Sequence, residues 1–166
     1  MIVRDETAAD HDGIRALNRQ AFGGDYEAEL IDRLRAEELL RVSLVALDDG
    51  NVIGHILFST LGVVVDGWTV KSAALAPLAV APHKQRSGVG STLVRAGLAA
   101  LTGQGFEAVF VLGHASYYPR FGFSAALARK LRSPYAGESF MALELTADAL
   151  RGSSGSVSYP DAFDSD

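Results

Sequence analysis

Residues 78–92 read Leu78-Ala79-Val80-Ala81-Pro82-His83-Lys84-Gln85-Arg86-Ser87-Gly88-Val89-Gly90-Ser91-Thr92: an apolar strand, a proline-closed turn, a glycine-bearing loop and the start of a helix. Pro82 ends the strand because proline brings no N–H to a ladder. From Gly88 to Leu101 the period changes, and Val89, Leu93, Ala96, Leu98 and Leu101 recur at helical spacing. Glycines at 88 and 90 let the backbone turn sharply and let a ligand approach without a Cβ in the way. The N–H groups of the helix start then face outward and favour an anion, most often a phosphate.

Three kinds of anion-binding loop can be separated here. A P-loop needs lysine directly after its last glycine, and Ser91 follows Gly90. A dinucleotide fingerprint needs a third small residue where Leu93 stands. It also needs its first glycine directly after the strand, whereas Pro82 to Ser87 intervene, although Glu107 falls roughly 20 residues on, where a ribose-binding acid would sit. The third kind is a strand, a short turn, then Gln/Arg-x-x-Gly-x-Gly/Ala opening a helix. Gln85, Gly88 and Gly90 fill its three places.

Working outward, Ile2 to Arg4 reads as a short strand. Thr7, three residues before Asp10, resembles a capping box, and Ile14, Leu17 and Ala21 share a helical face that Gly23-Gly24 ends. A second amphipathic helix carries Leu30, Ile31, Leu34 and Leu39 on its apolar side. Val42 to Leu47, Val52 to Val65 and Thr69 to Ala81 then read as three antiparallel strands joined by Asp48-Asp49-Gly50-Asn51 and Asp66-Gly67. After the loop-helix, which Gly103 and Gly105 stop, Phe106 to Leu112 is almost wholly apolar, as expected of a strand covered on both faces. Strand, helix, strand at this spacing implies a parallel crossover. A short segment around Tyr117 to Phe121 precedes a last strand, Phe140 to Leu145. The reading is one α/β (α+β) domain over residues 1–151, with a mixed, mainly antiparallel central sheet flanked by helices. Residues 152–166 form a Gly/Ser-rich tail whose Tyr159 and Phe163 would let it dock back on the domain.

Composition narrows the function. In 166 residues, 48% are hydrophobic and 21% charged, enough apolar material for a core. The formal net charge of -5, with scattered basic residues, argues against nucleic acid. The absence of cysteine excludes a disulfide framework, a thiolate metal site and an acyl-cysteine intermediate. The dispersed histidines suggest no metal site. The N-terminus lacks the apolar core of a signal peptide, and no apolar run reaches the roughly 20 residues a membrane helix needs. A cytoplasmic protein is the expectation.

The segment Leu78 to Gly90 resembles the acetyl-CoA signature of the GNAT N-acetyltransferase superfamily, and the element order from Ile2 to Leu145 is similar to the GNAT arrangement. Tyr117-Tyr118-Pro119-Arg120-Phe121-Gly122-Phe123 looks like the family's tyrosine four residues before a Gly-Phe pair. Its Tyr-x-Arg-Phe-Gly-Phe form resembles a bacterial branch whose acceptors are mostly unassigned. The resemblance implies acetyl-CoA as co-substrate and a primary amine as acceptor, a small molecule or a peptide, with direct attack in a ternary complex. It implies that Gln85, Arg86, Ser87, Gly88, Val89, Gly90 and Ser91 bind the co-substrate, the loop backbone from Arg86 to Ser91 taking its pyrophosphate. It implies too that the Pro77-bearing strand separates from Phe106 to Leu112, so that Leu78, Ala79 and Val80 pair with the pantetheine arm.

Transfer from a thioester to an amine needs a held co-substrate, a neutral amine, donors for the developing oxyanion and a proton for the leaving thiolate. Given the motif, Tyr118 is the general acid; a phenol with a pKa of about 10 is protonated at neutral pH. Relatives carry a glutamate on the third meander strand, and Leu75 to Ala81 has none. Glu27 is the first choice of base, Glu138, His55 or a water chain the others. The acceptor side is expected in the loops Gly23 to Glu29 and Ser133 to Glu138. A non-catalytic acyl-CoA-binding module on the same fold and a dinucleotide-binding oxidoreductase are the competing readings, and a homodimer stays open.

Overall fold

The computed structural model describes residues 1–164. Its strands are β1 (Ile2–Asp5), β2 (Leu40–Asp48), β3 (Asn51–Val65), β4 (Trp68–Thr69), β5 (Ser72–Val80), β6 (Ala108–Leu112), β7 (Leu131–Arg132), β8 (Phe140–Glu144) and β9 (Gly155–Ser158). Its α-helices are α1 (His11–Phe22), α2 (Tyr26–Ala36), α3 (Val89–Gly103) and α4 (Ala125–Ala128). The strand order is β1-β2-β3-β5-β6-β8, with β4 and β9 on β3 and β7 on β9. Only β5–β6 and β7–β9 are parallel among the registers described, so the sheet is mixed and mainly antiparallel.

The chain packs as two compact units. One comprises Met1–Ser59, Ala76–Ala100 and the end of the chain from Ala162. Here β1 pairs with β2 and β2 with β3. Asp49 and Gly50 both take left-handed φ (49° and 78°), the pair of conformations a type I′ hairpin requires. The Asp10 carboxylate accepts the Thr7 amide at 2.7 Å, the bond the Thr7–Asp10 spacing predicts, and Gly23 closes α1 with φ 75°. Leu39 falls outside α2. The helix ends at Ala36, Glu38 turns left-handed, and the Leu39 amide donates back to the Leu34 carbonyl at 2.9 Å, a capping arrangement that helical periodicity alone does not show. On one face of β3, Gly54 and Phe58 meet α3: an added Cβ on Gly54 would lie 2.7 Å from Val89 Cγ1, and one on Gly97 would lie 2.2 Å from Phe58 Cε2.

The other unit comprises Thr60–Leu75 and Leu101–Asp161. Asp66 and Gly67 form the second left-handed turn. The third meander strand is broken rather than continuous, because Lys71 changes partners. Its carbonyl accepts the Glu107 amide at 2.7 Å and its ammonium reaches the Gln104 carbonyl at 2.8 Å, with the Phe106 ring 4.7 Å away. Phe106 is drawn back to close α3 through its amide to the Leu101 carbonyl, so β6 begins at Ala108. Ala108 to Val111 are at most 1% exposed, which explains their unbroken apolar character. The tail contributes β9, which pairs with β3 from Gly62↔Ser158 to Val65↔Gly155 and with β7. The amides of Ser153 and Ser154 bond the Asp66 carboxylate at 2.9 and 3.2 Å.

Candidate active site

β5 delivers the chain to the glycine loop. The Ala81 amide makes a 2.8 Å bond to the Ile53 carbonyl, Pro82–Lys84 form a 3-10 turn, and Lys84 is paired with Asp48 at 2.9 Å. Gln85 donates from Nε2 to the Val80 carbonyl at 3.2 Å, and the Ser87 hydroxyl donates to the Lys84 carbonyl. Arg86 (φ 64°) and Gly88 (φ 93°) are both left-handed, and the loop from Gln85 to Gly88 is exposed. Such alternation turns successive amides toward a common concavity, the geometry that suits an oxyanion. A Cβ at Gly88 would meet nothing within 4 Å, so glycine is needed there for its φ and leaves the approach open. Val89, 4% exposed, anchors the far side of the loop. The Gly88 carbonyl takes the Thr92 amide at 3.0 Å and the Thr92 hydroxyl at 2.9 Å, which starts the helical ladder. The amides of Gly88 to Gly90 precede it, where an α-helix supplies no partner of its own.

Upstream, the parallel ladder of β5 with β6 runs from Ser72↔Ala108 to Leu75↔Val111, and β5 continues to Val80. Pro77 follows the ladder's last pair and lacks an N–H. Ala79 is 1% exposed, whereas Leu78 and Val80 are half-buried.

Tyr118 opens a 3-10 turn, Tyr118–Phe121, and is 7% exposed. Its ring lies edge-on to Tyr117 (5.1 Å) and Phe123 (5.7 Å), and rests on Gly113, where a Cβ would sit 2.4 Å from Tyr118 Cε2. Burial, and next the neighbouring Tyr117, raise the Tyr118 phenol well above its ordinary value. The hydroxyl is therefore a proton donor throughout the neutral range.

The base candidates occupy different settings. Glu27 is half-buried in the first turn of α2. Glu138 is exposed and lines a pocket of about 240 Å³ with Ala128, Arg129, Leu131, Gly137 and Phe140 among its neighbours. His55 is fully buried and belongs to a polar cluster. The Ser43 hydroxyl donates to Glu6 and therefore accepts from His55 Nε2 at 2.9 Å, which puts the imidazole proton on Nε2. Arg35 and His11 also reach Glu6, at 2.8 and 2.9 Å. Burial lowers the His55 pKa to about 4, against the pull of Glu6, so the ring is neutral at neutral pH. Among the described residues no group of three or more His, Cys, Asp or Glu is arranged to hold a metal, and no helix is long and apolar enough to cross a membrane.

Residues 3–126 match the family model described as an acetyltransferase (GNAT) domain. The chain belongs to the GNAT acetyltransferase family. This GNAT chain is 40% identical over 166 residues to the uncharacterized N-acetyltransferase YhbS of Escherichia coli K12, with 98% of each covered. A 1.55 Å crystal structure of YhbS from Escherichia coli in complex with CoA superposes with a TM-score of 0.89 at 39% identity, covering 98% of this chain and 91% of that one. A GNAT family acetyltransferase from Brucella melitensis in complex with acetyl-CoA gives 0.81 at 36% identity, covering 98% and 97%.

Two features of the fold escape a reading of motifs. Gly113, just past the apolar strand, makes room for the Tyr118 ring, and only the contact itself reveals why no side chain stands there. The docked end of the chain at Ala162 and Phe163 is signalled only by two aromatics, Tyr159 and Phe163, in an otherwise small and polar tail.

Proposed function

We propose that this protein moves an acetyl group from acetyl-CoA to a primary amine by direct attack in a ternary complex. It is an N-acetyltransferase, and acetyl-CoA is its co-substrate. The observation that carries the finer reading is the Gln85–Ser91 loop, exposed from Gln85 to Gly88. Its left-handed Arg86 and Gly88, and the amides at the start of α3, suit a pyrophosphate. Arg86 adds a positive charge at the same place. Backbone groups of Leu78, Ala79 and Val80, beyond the ladder's end at Leu75, are suited to bind an extended amide-bearing arm. An N–H among them would face the thioester oxygen and stabilise charge as it develops.

Tyr118 supplies the proton to the departing sulfur. Its raised pKa keeps the hydroxyl intact until that charge appears, and the edge contacts of Tyr117 and Phe123 hold the ring in one position. Glu27 takes the proton from the amine, with Glu138 the alternative, and residues 23–29 and 133–138 form the acceptor side. His55, wholly buried, is the least suited of the three to meet an incoming amine. The absence of cysteine excludes an acyl-cysteine intermediate, which accords with attack by the amine itself. The reaction is assigned to the cytoplasm, the compartment expected from the sequence.

The test is calorimetry with acetyl-CoA followed by a panel of amines, reading free CoA thiol. Binding, together with turnover that Tyr118→Phe lowers by about 100-fold or more, is expected. Binding with no turnover of any amine would favour a sensing module instead. No binding at all would defeat the loop assignment.

A further inference from the structure

Both segments assigned to the acceptor side touch the last described stretch of the chain. In the unit containing α2, the Tyr26 hydroxyl donates to the Phe163 carbonyl at 2.6 Å, and Arg33 Nε donates to the Ala162 carbonyl at 2.8 Å. The Arg33 guanidinium lies 5.8 Å from the Tyr26 ring centre, which ties the two donors together. Ala162 and Phe163 are only 3% and 7% exposed, so this is a packed contact and not a grazing one. Tyr26 is the first residue of α2 and Glu27 is the next. In the other unit, β9 is held by β3 and β7, and Tyr159 follows it directly. The Tyr159 ring packs edge-on against Tyr135 at 4.8 Å and 82°, and against Phe140 at 6.5 Å. Tyr135 and Phe140 bracket residues 136–138, three of the positions that line the pocket carrying Glu138.

We propose that the end of the described chain positions the amine-binding segments separately within each unit: Ala162-Phe163 fixes the start of α2, and Tyr159 fixes the Tyr135–Glu138 loop. The proposal rests on the reading of those two segments as the acceptor side. Short surface segments lose conformational entropy when a substrate orders them. A brace ordered in advance removes that cost from the binding of the amine. Acetyl-CoA, which the Gln85–Ser91 loop receives, gains nothing from it. The brace thus acts on amine KM far more than on kcat or on the affinity for acetyl-CoA.

Three variants test this: a chain ending at Pro160, Arg33→Met, which removes the bond to the Ala162 carbonyl from outside the acceptor segment, and Tyr159→Leu. The two substitutions keep the full chain, so they report even if the shortened protein fails to fold. Amide exchange at Glu29 to Ile31 is expected to quicken about tenfold in Arg33→Met and in the shortened chain, and at Tyr135 and Phe140 in Tyr159→Leu. Amine KM is expected to rise about fivefold, with kcat and the acetyl-CoA dissociation constant within about twofold of the parent. Unchanged exchange at both segments overturns the proposal. So does faster exchange with an unmoved amine KM, since the tail would then hold structure without serving the amine. Should the parent bind acetyl-CoA yet acetylate no amine, the proposed reaction fails, and exchange alone still judges whether the brace exists.

Discussion

Gly113→Ala is the sharpest probe of Tyr118, because it moves the ring without touching the hydroxyl's chemistry. The added methyl would lie 2.4 Å from Cε2, 3.0 Å from Cδ2 and 3.4 Å from Cζ of Tyr118. Carbon–carbon contacts settle at about 3.5–4.0 Å, so one side must yield by about 1 Å or more. The backbone at 113 cannot yield easily, since its amide is bonded to the Ser139 carbonyl at 3.0 Å. Its φ lies outside the left-handed region, so alanine adds no backbone strain there. The ring must therefore shift, although Tyr117 and Phe123 hold its edges. A displacement of about 1 Å in a positioned catalytic group can cost roughly 100-fold in rate. The overpacking should also lower stability by about 1–3 kcal/mol, visible in urea. Turnover is read as released CoA thiol, with no protein thiol to contribute background because the chain has no cysteine. The expected result is kcat down about 100-fold with acetyl-CoA affinity unchanged, and little further loss when Gly113→Ala is added to Tyr118→Phe, since both remove the same proton donor. A folded Gly113→Ala protein whose kcat stays within about threefold of the parent would refute the role assigned to Tyr118.

Gly97→Ala tests the packing of α3 on β3: its methyl would lie 2.2 Å from Cε2 and 2.7 Å from Cζ of the fully buried Phe58. Overpacking of about 1–3 kcal/mol should exceed the gain of about 1 kcal/mol in helix propensity, lowering the urea midpoint at constant slope, and Phe58→Leu in the same chain should recover part of the loss. His55 predicts a pH dependence. Its folded pKa, about 4, lies below its ordinary 6.5, so the unfolded chain binds the extra proton first. Stability is full above pH 6.5 and declines as pH falls below it, approaching about 1.4 kcal/mol per pH unit, whereas His55→Gln should flatten the urea midpoint between pH 6.5 and 4.5. Glu6 is held below its ordinary 4.5: burial would raise it, but hydrogen bonds from Ser43 and Arg35 outweigh that. Its contribution is lost only at lower pH, so the two effects separate.

The loop proposed to receive the donor was legible from the chain alone. Gln85, Gly88 and Gly90 announce the loop, and of these Gly88 takes the left-handed φ, 93°, that favours glycine. The hairpins at Asp49-Gly50 and Asp66-Gly67 were readable for the same local reason. Alternation and helical periodicity carried the order of β1, α1, α2, β2, β3, α3, β6 and β8, since burial of one face imprints its period on the sequence, whereas the short α4 and β7 are too brief to show a period.

Other features depended on partners distant in the chain, and no local pattern carries those. Lys71 breaks the third meander strand through Gln104, Phe106 and Glu107. His55 is held neutral by burial and paired through Ser43 with Glu6, which turns a plausible base into a core residue. The Gly/Ser-rich end became β9 and a docked Ala162-Phe163 because β3, β7 and α2 offered matching backbone and donors. Local stereochemistry and periodicity are written in neighbouring residues, and the sequence determined what they govern. The neighbours of Tyr118, His55 and Phe163 depend on which segments the folded chain brings together, and only the tertiary structure decided those.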